Sequence, residues 1–460
     1  MTDLQAHIGR RFKQSVVLSV MAKLSACVLQ LISIPIAVRY LGVDGYAAFA
    51  TILAASLAPQ MFVLRHGPIL TGPIAAMFSV GDWPAIALRM WAAFGASLLS
   101  MVLSILAFAS LYGLGALQGL VTSEGSAVPM VLGTMLFLTA MHLFIPLLIV
   151  FEDTQAALHE SHLQGLRVTI GNVLAMIAIA FLVPHAPSLF CYAVALTGPP
   201  FLVRAMNAFM FLFRYRRLLL KFPKYMPAQI RISAHNGLLF TAVVGVGAYA
   251  SNQLPIIAAA TFLTEAQTAS VSVIQQLTLV AFAFGSVLGV GFLPAFNTCL
   301  SSGNPDWVRR TLQRIEQSFV GLGIICVLGF VLFGRPLHNF LLRMDLAIPR
   351  EAIWFAGVYA VLLIIENFYF LLATSIRQSG RSSLLFTVRA GLTGLAAYIT
   401  CQAGYPAMIW LAGAALTLLI TVFHYRSLVW MVVDQSMLTP GAAGQPMHFG
   451  PSVAPGSPVT

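Results

Sequence analysis

Long apolar runs recur along this chain from Val16 to Val432, and they constrain its fold more than any other feature. Several contain twenty or more residues, whereas charged residues make up only 8% of the chain. A helix needs about 20 apolar residues to cross ~30 Å of hydrocarbon, where it satisfies its own backbone hydrogen bonds. The sequence therefore predicts an all-α polytopic membrane protein.

The apolar runs divide into about twelve predicted transmembrane spans. These are residues 14–40, 46–77, 87–113, 128–151, 166–184, 187–213, 234–260, 268–298, 315–335, 352–376, 382–403 and 405–430. The second and eighth spans exceed the length that a membrane requires, so we expect them to tilt, bend or extend beyond it. Pro59, Pro68 and Pro73 are the expected bending points of the second span.

The positions of lysine and arginine predict the orientation, because basic residues concentrate in cytoplasmic loops. One set of span ends holds 17 of the 25 basic residues: Arg10, Arg11, Lys13, Arg89, Arg167, Arg214, Arg216, Arg217, Lys221, Lys224, Arg231, Arg309, Arg310, Arg314, Arg377, Arg381 and Arg426. The opposite set holds Arg39, Arg335, Arg343 and Arg350. We therefore expect a multi-pass membrane protein with both termini in the cytoplasm. The basic residues are dispersed over short loops, which argues against nucleic-acid binding.

The two halves of the chain repeat one layout after 222 residues. The aligned pairs are Tyr40-Leu41 with Phe262-Leu263, Gly81-Asp82-Trp83 with Gly303–Trp307, and Leu166-Arg167 with Val388-Arg389. Six spans per half is an even number, so both copies have the same orientation in the membrane. The predicted organisation is a six-helix lobe (1–213), a basic cytoplasmic linker (214–233), a second six-helix lobe (234–434) and a disordered Pro/Gly-rich tail (435–460).

The segment Ile34–Phe49 (IPIAVRYLGVDGYAAF) carries a resemblance to a known family. It resembles the exit of span one in the polysaccharide transporters, or O-antigen flippases, of the multidrug/oligosaccharidyl-lipid/polysaccharide (MOP) superfamily, which is MATE-like. The resemblance implies two six-helix lobes in a V around a central cavity. It also implies that the protein moves an undecaprenyl-pyrophosphate-linked oligosaccharide to the outer leaflet. The chain departs from the pattern at Gly45-Tyr46, where the usual order is reversed, and in its proline-rich second span.

The resemblance further implies partners for the protein. They are the lipid-linked oligosaccharide, for surface polysaccharide such as O-antigen or exopolysaccharide, together with membrane lipids and the polymerase or assembly proteins of glycan synthesis. The sequence has no P-loop, no HExxH zinc motif and no Gly-x-Ser-x-Gly nucleophile elbow. We therefore predict a transporter that has neither enzymatic activity nor a cofactor or metal.

Ionisable residues inside predicted spans are the candidate site residues, because each costs ~2.5–3.5 kcal/mol at the bilayer centre. Four are cations that we predict to bind substrate, namely Lys23, Arg65, Arg204 and Arg389. Other residues are predicted to line or gate the cavity: Ser19, Gln30, Asn252, Gln275 and Glu366. Four cations against one carboxylate suggest an uncompensated positive cavity that a pyrophosphate would fill.

Two other functions remain open at this stage. A cation-coupled multidrug exporter of the same fold would keep an acidic residue in span one, where this chain has Lys23. A membrane-embedded glycan polymerase or ligase would need a large external loop, and the longest one predicted here runs only from Pro336 to Glu351.

Overall fold

A computed structural model describes residues 2–79, 81–113, 128–158, 160–219, 227, 230–231, 245–301, 305–375 and 379–438 of the 460-residue chain. Within these ranges the secondary structure is helical, without a β-strand. The first half contains α1 (Thr2–Ser56), a 3₁₀ turn (Pro59–Phe62), α2 (Gly67–Ser79), α3 (Trp83–Gly113), α4 (Val128–Ala157), α5 (Ser161–His185), α6 (Leu189–Arg214) and α7 (Arg216–Leu219). The second half contains α8 (Leu254–Phe262), α9 (Glu265–Ser301), α10 (Pro305–Leu342), α11 (Glu351–Ser375), α12 (Ser379–Gln402), α13 (Met408–Leu416), a π-helical turn (Thr417–Val422) and α14 (Phe423–Leu438).

The predicted class, an all-α polytopic membrane protein, is confirmed. In the described part of the chain, nine helical stretches are long and apolar enough to cross a membrane. Helical segments occur in order at all twelve predicted spans. Helix α1 contains span one and the first part of span two, which are separated by a kink at Gly42. Gly42 has φ 80°, a left-handed conformation that glycine adopts without steric cost.

Span two is interrupted between Ser56 and Gly67, as its prolines predicted for Pro59. Pro73 instead lies inside the continuous helix α2. Irregular backbone at membrane depth must find hydrogen-bond partners inside the protein. Helix α3 supplies them: Ser100 Oγ accepts the Leu64 amide at 2.9 Å, and Ser97 Oγ donates to the Leu64 carbonyl at 2.8 Å. The corresponding span of the second half, α9, is one continuous helix.

The same helix pairings occur in both halves. In the first half α1 packs on α5, α5 on α6, and α4 on α6. In the second half α8 packs on α12, α12 on α13, and α11 on α13. Glycines allow the close approaches: a Cβ on Gly165 of α5 would lie 2.8 Å from the Leu18 backbone of α1. A Cβ on Gly394 of α12 would lie 2.6 Å from Leu254 of α8. This recurrence agrees with the parallel repeat that the sequence predicts.

The two halves meet in an apolar contact near the kink of α1. Buried residues on both sides of Gly42 pack against Ala269 and Val273 of α9 and against Leu341 at the end of α10. The Tyr46 hydroxyl also lies 3.4 Å from the Ser272 hydroxyl of α9. In the predicted topology, this contact lies at the outer side of the membrane.

Two of the proposed domain limits, 213/214 and 434/435, fall within the described residues, and the limit at 233/234 does not. Outside the described residues lie most of the predicted linker, the start of the second lobe (234–244) and residues 439–460 of the tail. Helix α14 continues to Leu438, so the first residues of the predicted tail are helical. The linker and the remainder of the tail stay predictions.

Candidate substrate-binding site

Lys23 lies where the first half faces the second. Its Nζ donates a hydrogen bond of 2.7 Å to the Ala283 carbonyl of α9, and its side chain is partly buried. Lys23 precedes the Gly42 kink by 19 residues, which corresponds to about 28 Å of helix at 1.5 Å per residue. In the predicted topology span one ends at residue 40, near the kink and on the outer side, so Lys23 lies toward the cytoplasmic side of the membrane.

Arg65 and Arg204 belong to a second group inside the first half. Arg204 Nε donates to Glu152 Oε1 of α4 at 2.7 Å, and the Glu152 side chain is only 5% exposed. Arg65, in the break of span two, lies within electrostatic range of Arg204 and Asp153. Asp153 Oδ2 accepts the Gly67 amide at 3.0 Å. A carboxylate at the first amide of α2 is stabilised by the helix dipole and anchors the end of the break.

The charge balance inside the helices therefore differs from the sequence prediction. The count of four cations against one carboxylate left out Glu152 and Asp153, which lie on α4 because this helix continues to Ala157. Glu152 pairs with Arg204, and Asp153 lies within electrostatic range of Arg65, so each of these cations has an acidic residue nearby. The predicted span four ends at residue 151, directly before these two adjacent acids.

Arg389 and Glu366 form a third group inside the second half. Arg389 Nη2 donates to Glu366 Oε2 at 2.8 Å, and Arg389 Nε donates to Glu366 Oε1 at 3.1 Å. Both side chains are almost completely buried, with exposures of 1% and 2%. The Tyr359 hydroxyl lies 3.5 Å from Arg389 Nη1. This bidentate pair joins α11 to α12 and gives the Arg389 guanidinium a carboxylate partner within the protein.

The predicted cavity-lining residues occupy different environments. Gln275 of α9 is fully buried, and its Oε1 accepts the Trp410 indole N–H of α13 at 3.2 Å. Gln30 of α1 has a buried Oε1 without a hydrogen-bond partner among the described residues. Ser19 and Asn252 are partly buried. Gln275 and Glu366 thus pack within the second half, while Gln30 and Lys23 share α1.

An ion pair between α10 and α14 was not predicted from the sequence. Arg426 of α14 donates from Nε and Nη2 to the Glu316 carboxylate of α10 at 2.8 and 3.0 Å. Trp430 Nε1 and the Tyr369 hydroxyl also donate to this carboxylate. The internal repeat could have indicated a role for Arg426, because this residue follows Arg204 by 222 residues. Each half therefore anchors its last long helix with an arginine, although the acid lies on α4 in one half and on α10 in the other.

No protein-family model matches the sequence, and no curated protein sequence matches it. Solved structures of transporters match over nearly the whole chain. A MATE family multidrug resistance transporter of the MOP superfamily, in an inward-facing conformation, is 14% identical with a TM-score of 0.63, over 92% of this chain and 96% of its own. A mutant of the Vibrio cholerae MATE transporter VcmN is 15% identical with a TM-score of 0.64, over 96% and 99% of the two chains.

A third similar structure is a MOP superfamily transporter from Pyrococcus furiosus, which is 15% identical with a TM-score of 0.58 over 94% of this chain and 96% of its own. Its description states that the reverse polarity of its binding pocket suggests a different function. All three structures match this chain over more than nine tenths of both lengths. The chain has the fold of the MATE transporters of the MOP superfamily.

Proposed function

We propose that the protein is a flippase that moves an anionic, undecaprenyl-pyrophosphate-linked oligosaccharide across the bacterial inner membrane by alternating access. The observation that carries the proposal is the placement of Lys23, a cation at the contact between the two halves. Transporters of this kind bind substrate at the interface of their repeats. A positive group there favours an anionic substrate.

The partners of Arg204, Arg389 and Lys23 favour Lys23 as the residue that contacts the substrate. Arg204 and Arg389 are bound to Glu152 and Glu366, so each pair is neutral as a unit. The Lys23 ammonium donates a hydrogen bond to the Ala283 carbonyl, a neutral acceptor that belongs to the other half. Two opposite unit charges 4 Å apart attract by about 4 kcal/mol at an effective dielectric constant of 20. A pyrophosphate that displaces the Ala283 carbonyl would be attracted to the Lys23 ammonium with an energy of this order. The long apolar chain of the carrier lipid would stay in the membrane.

Multidrug export is the second candidate, and the fold favours it because one matched structure is a multidrug resistance transporter. The sign of the charge argues against it for cationic drugs, since Lys23 repels them. The transporter from Pyrococcus furiosus, whose pocket is described as having reverse polarity, supports the idea that pocket charge separates functions on this fold. A glycan polymerase or ligase gains no support from the similar structures, which are transporters.

The experiment compares Lys23→Ala, Lys23→Arg and Lys23→Glu in a bacterial host that depends on the protein for surface glycan. We expect Lys23→Ala to abolish export at normal expression and to leave lipid-linked repeat units on the cytoplasmic side. Lys23→Arg should keep part of the activity because the charge is retained. Lys23→Glu should be at least as damaging as Lys23→Ala.

The same cells measure the rival function through their resistance to ethidium. Resistance that depends on the protein, together with unchanged surface glycan after Lys23→Ala, would replace the flippase proposal with drug export. Export of glycan at the wild-type rate by all three variants would refute the role of Lys23.

A further inference from the structure

A long groove lies between α10, α11 and the last helical segments of the second half. Its cavity volume is about 680 Å³, within the ~300–1,000 Å³ of typical ligand sites. Helix α10 contributes one continuous face, from Glu316 to Leu328, and α11 contributes Val361 and Ile365. Gly323 allows α10 to approach α11 closely, because a Cβ there would lie 3.2 Å from Val361. The groove is apolar along this length and is separate from the contact at Lys23.

The groove has a polar end and an apolar end. Glu316, Arg426 and Tyr369 line the polar end, where Arg426 is half exposed and donates to Glu316. From Glu316 the groove follows α10 for 12 residues to Leu328, which corresponds to about 18 Å. One leaflet of the hydrocarbon core is about 15 Å thick. The groove therefore matches one acyl chain that starts at a membrane surface and ends near the midplane.

Beyond the polar end, α10 continues with basic residues. Arg309 and Arg310 are exposed and lie six to seven residues before Glu316, which is two helical turns toward the start of α10. At the helical period of 3.6 residues, Arg309 continues the face that lines the groove and Arg310 lies at the edge of that face. Together with Arg426 they outnumber the two acids of this end, Asp306 and Glu316. The polar end thus offers an anionic headgroup a net positive surface.

We infer that this groove is a binding site for an anionic phospholipid of the leaflet on the side of the N-terminus. One acyl chain lies along α10 between Phe319 and Leu328, and the phosphate lies beside Arg309, Arg310 and Arg426. The site is independent of the proposed transport reaction, because it uses none of the residues near Lys23. The acyl chain of the bound phospholipid packs against both α10 and α11.

The test measures lipid retention by native mass spectrometry of protein purified in neutral detergent, with phosphatidylglycerol or phosphatidylcholine added. The wild type should retain one phosphatidylglycerol in preference to phosphatidylcholine. Ile324→Trp places a large side chain in the groove and should lower retention at least tenfold. Ile325→Trp is the matched control, since Ile325 is 70% exposed and does not line the groove. An arginine near a membrane surface adds about 1 kcal/mol, or roughly fivefold, so Arg309→Gln with Arg310→Gln should weaken retention up to about 30-fold.

Arg216→Gln with Arg217→Gln removes two exposed arginines from the other half and should leave retention unchanged. Unaltered elution on size exclusion establishes that each variant is folded. Equal retention by Ile324→Trp and Ile325→Trp would overturn the proposal, and so would equal retention of the two phospholipids. Retention of undecaprenyl phosphate in place of phosphatidylglycerol would also overturn it, by assigning the groove to the carrier lipid. Because no transport is measured, a failed flippase assay leaves this result unaffected.

Discussion

The buried ion pair between Arg389 and Glu366 should be structural, and breaking it should destabilise the second half severely. Glu366→Leu leaves the Arg389 guanidinium without its carboxylate at 1% exposure. Removing one partner of a buried pair costs about 3–5 kcal/mol, because the remaining charge stays desolvated. If the second half unfolds as a unit of about 200 residues, each kcal/mol lowers the melting temperature by roughly 2–4 °C. The expected decrease is therefore on the order of 6–20 °C.

The double variant Glu366→Leu with Arg389→Met separates the cost of an orphaned charge from the worth of the pair. Replacing both partners by apolar side chains of similar volume is often neutral or stabilising. We therefore expect the double variant to recover most of the lost stability.

A second control is Arg426→Gln, since Arg426 is half exposed and Glu316 keeps its hydrogen bonds from Tyr369 and Trp430. This substitution should cost no more than about 1 kcal/mol.

The assay is thermal unfolding of the purified protein in detergent, followed by tryptophan fluorescence. Trp410 is fully buried in α13, which packs on both α11 and α12, so it reports on the affected region. Glycan export by the double variant then decides the role of Arg389. Retained export supports a structural pair. A single variant as stable as the wild type, or a double variant no better than the single one, would refute the reasoning.

Three further predictions follow from the packing and the topology. Gly165→Ala should lower the melting temperature by a shift worth about 1–3 kcal/mol, because its Cβ would meet the α1 backbone at 2.8 Å; Gly133→Ala, with nothing within 4 Å, should not. Asp153→Ala removes the acceptor of the first α2 amide, so hydrogen exchange at residues 63–79 should accelerate, and unchanged exchange would contradict its anchoring role. A reporter fused at Lys221 should be cytoplasmic, and an external reporter there would invert the predicted topology.

The helical class and the order of the spans could be predicted because apolar length is a local property of the sequence. The break in span two could also be predicted, because Pro59 removes a backbone hydrogen-bond donor within an apolar run. The end of span four could not be predicted from the sequence. Glu152 and Asp153 remain inside α4 because Arg204 and the first amide of α2 bind them, and these partners lie far away in the sequence.

The candidate site shows the same division between local and distant information. The sequence identified Lys23, Arg204 and Arg389 as cations within spans, which is a local property. It could not show that Arg389 binds Glu366 across two helices while Lys23 meets a backbone carbonyl of the other half. One distant signal was readable, because the repeat relates Arg204 to Arg426. What distinguishes a ligand-binding cation from a structural one is its partner, and only the packed helices specify the partner.

The most direct test of the account is the affinity of the purified protein for undecaprenyl pyrophosphate, measured in detergent for the wild type and three variants of Lys23. The account predicts the tightest binding for the wild type, weaker binding for Lys23→Arg, at least a tenfold loss for Lys23→Ala, and the weakest binding for Lys23→Glu. The loss should shrink as salt is added, since an accessible charge is screened. Equal affinity of the wild type and Lys23→Ala, or tighter binding by Lys23→Glu, would contradict the claim that this cation recognises the pyrophosphate.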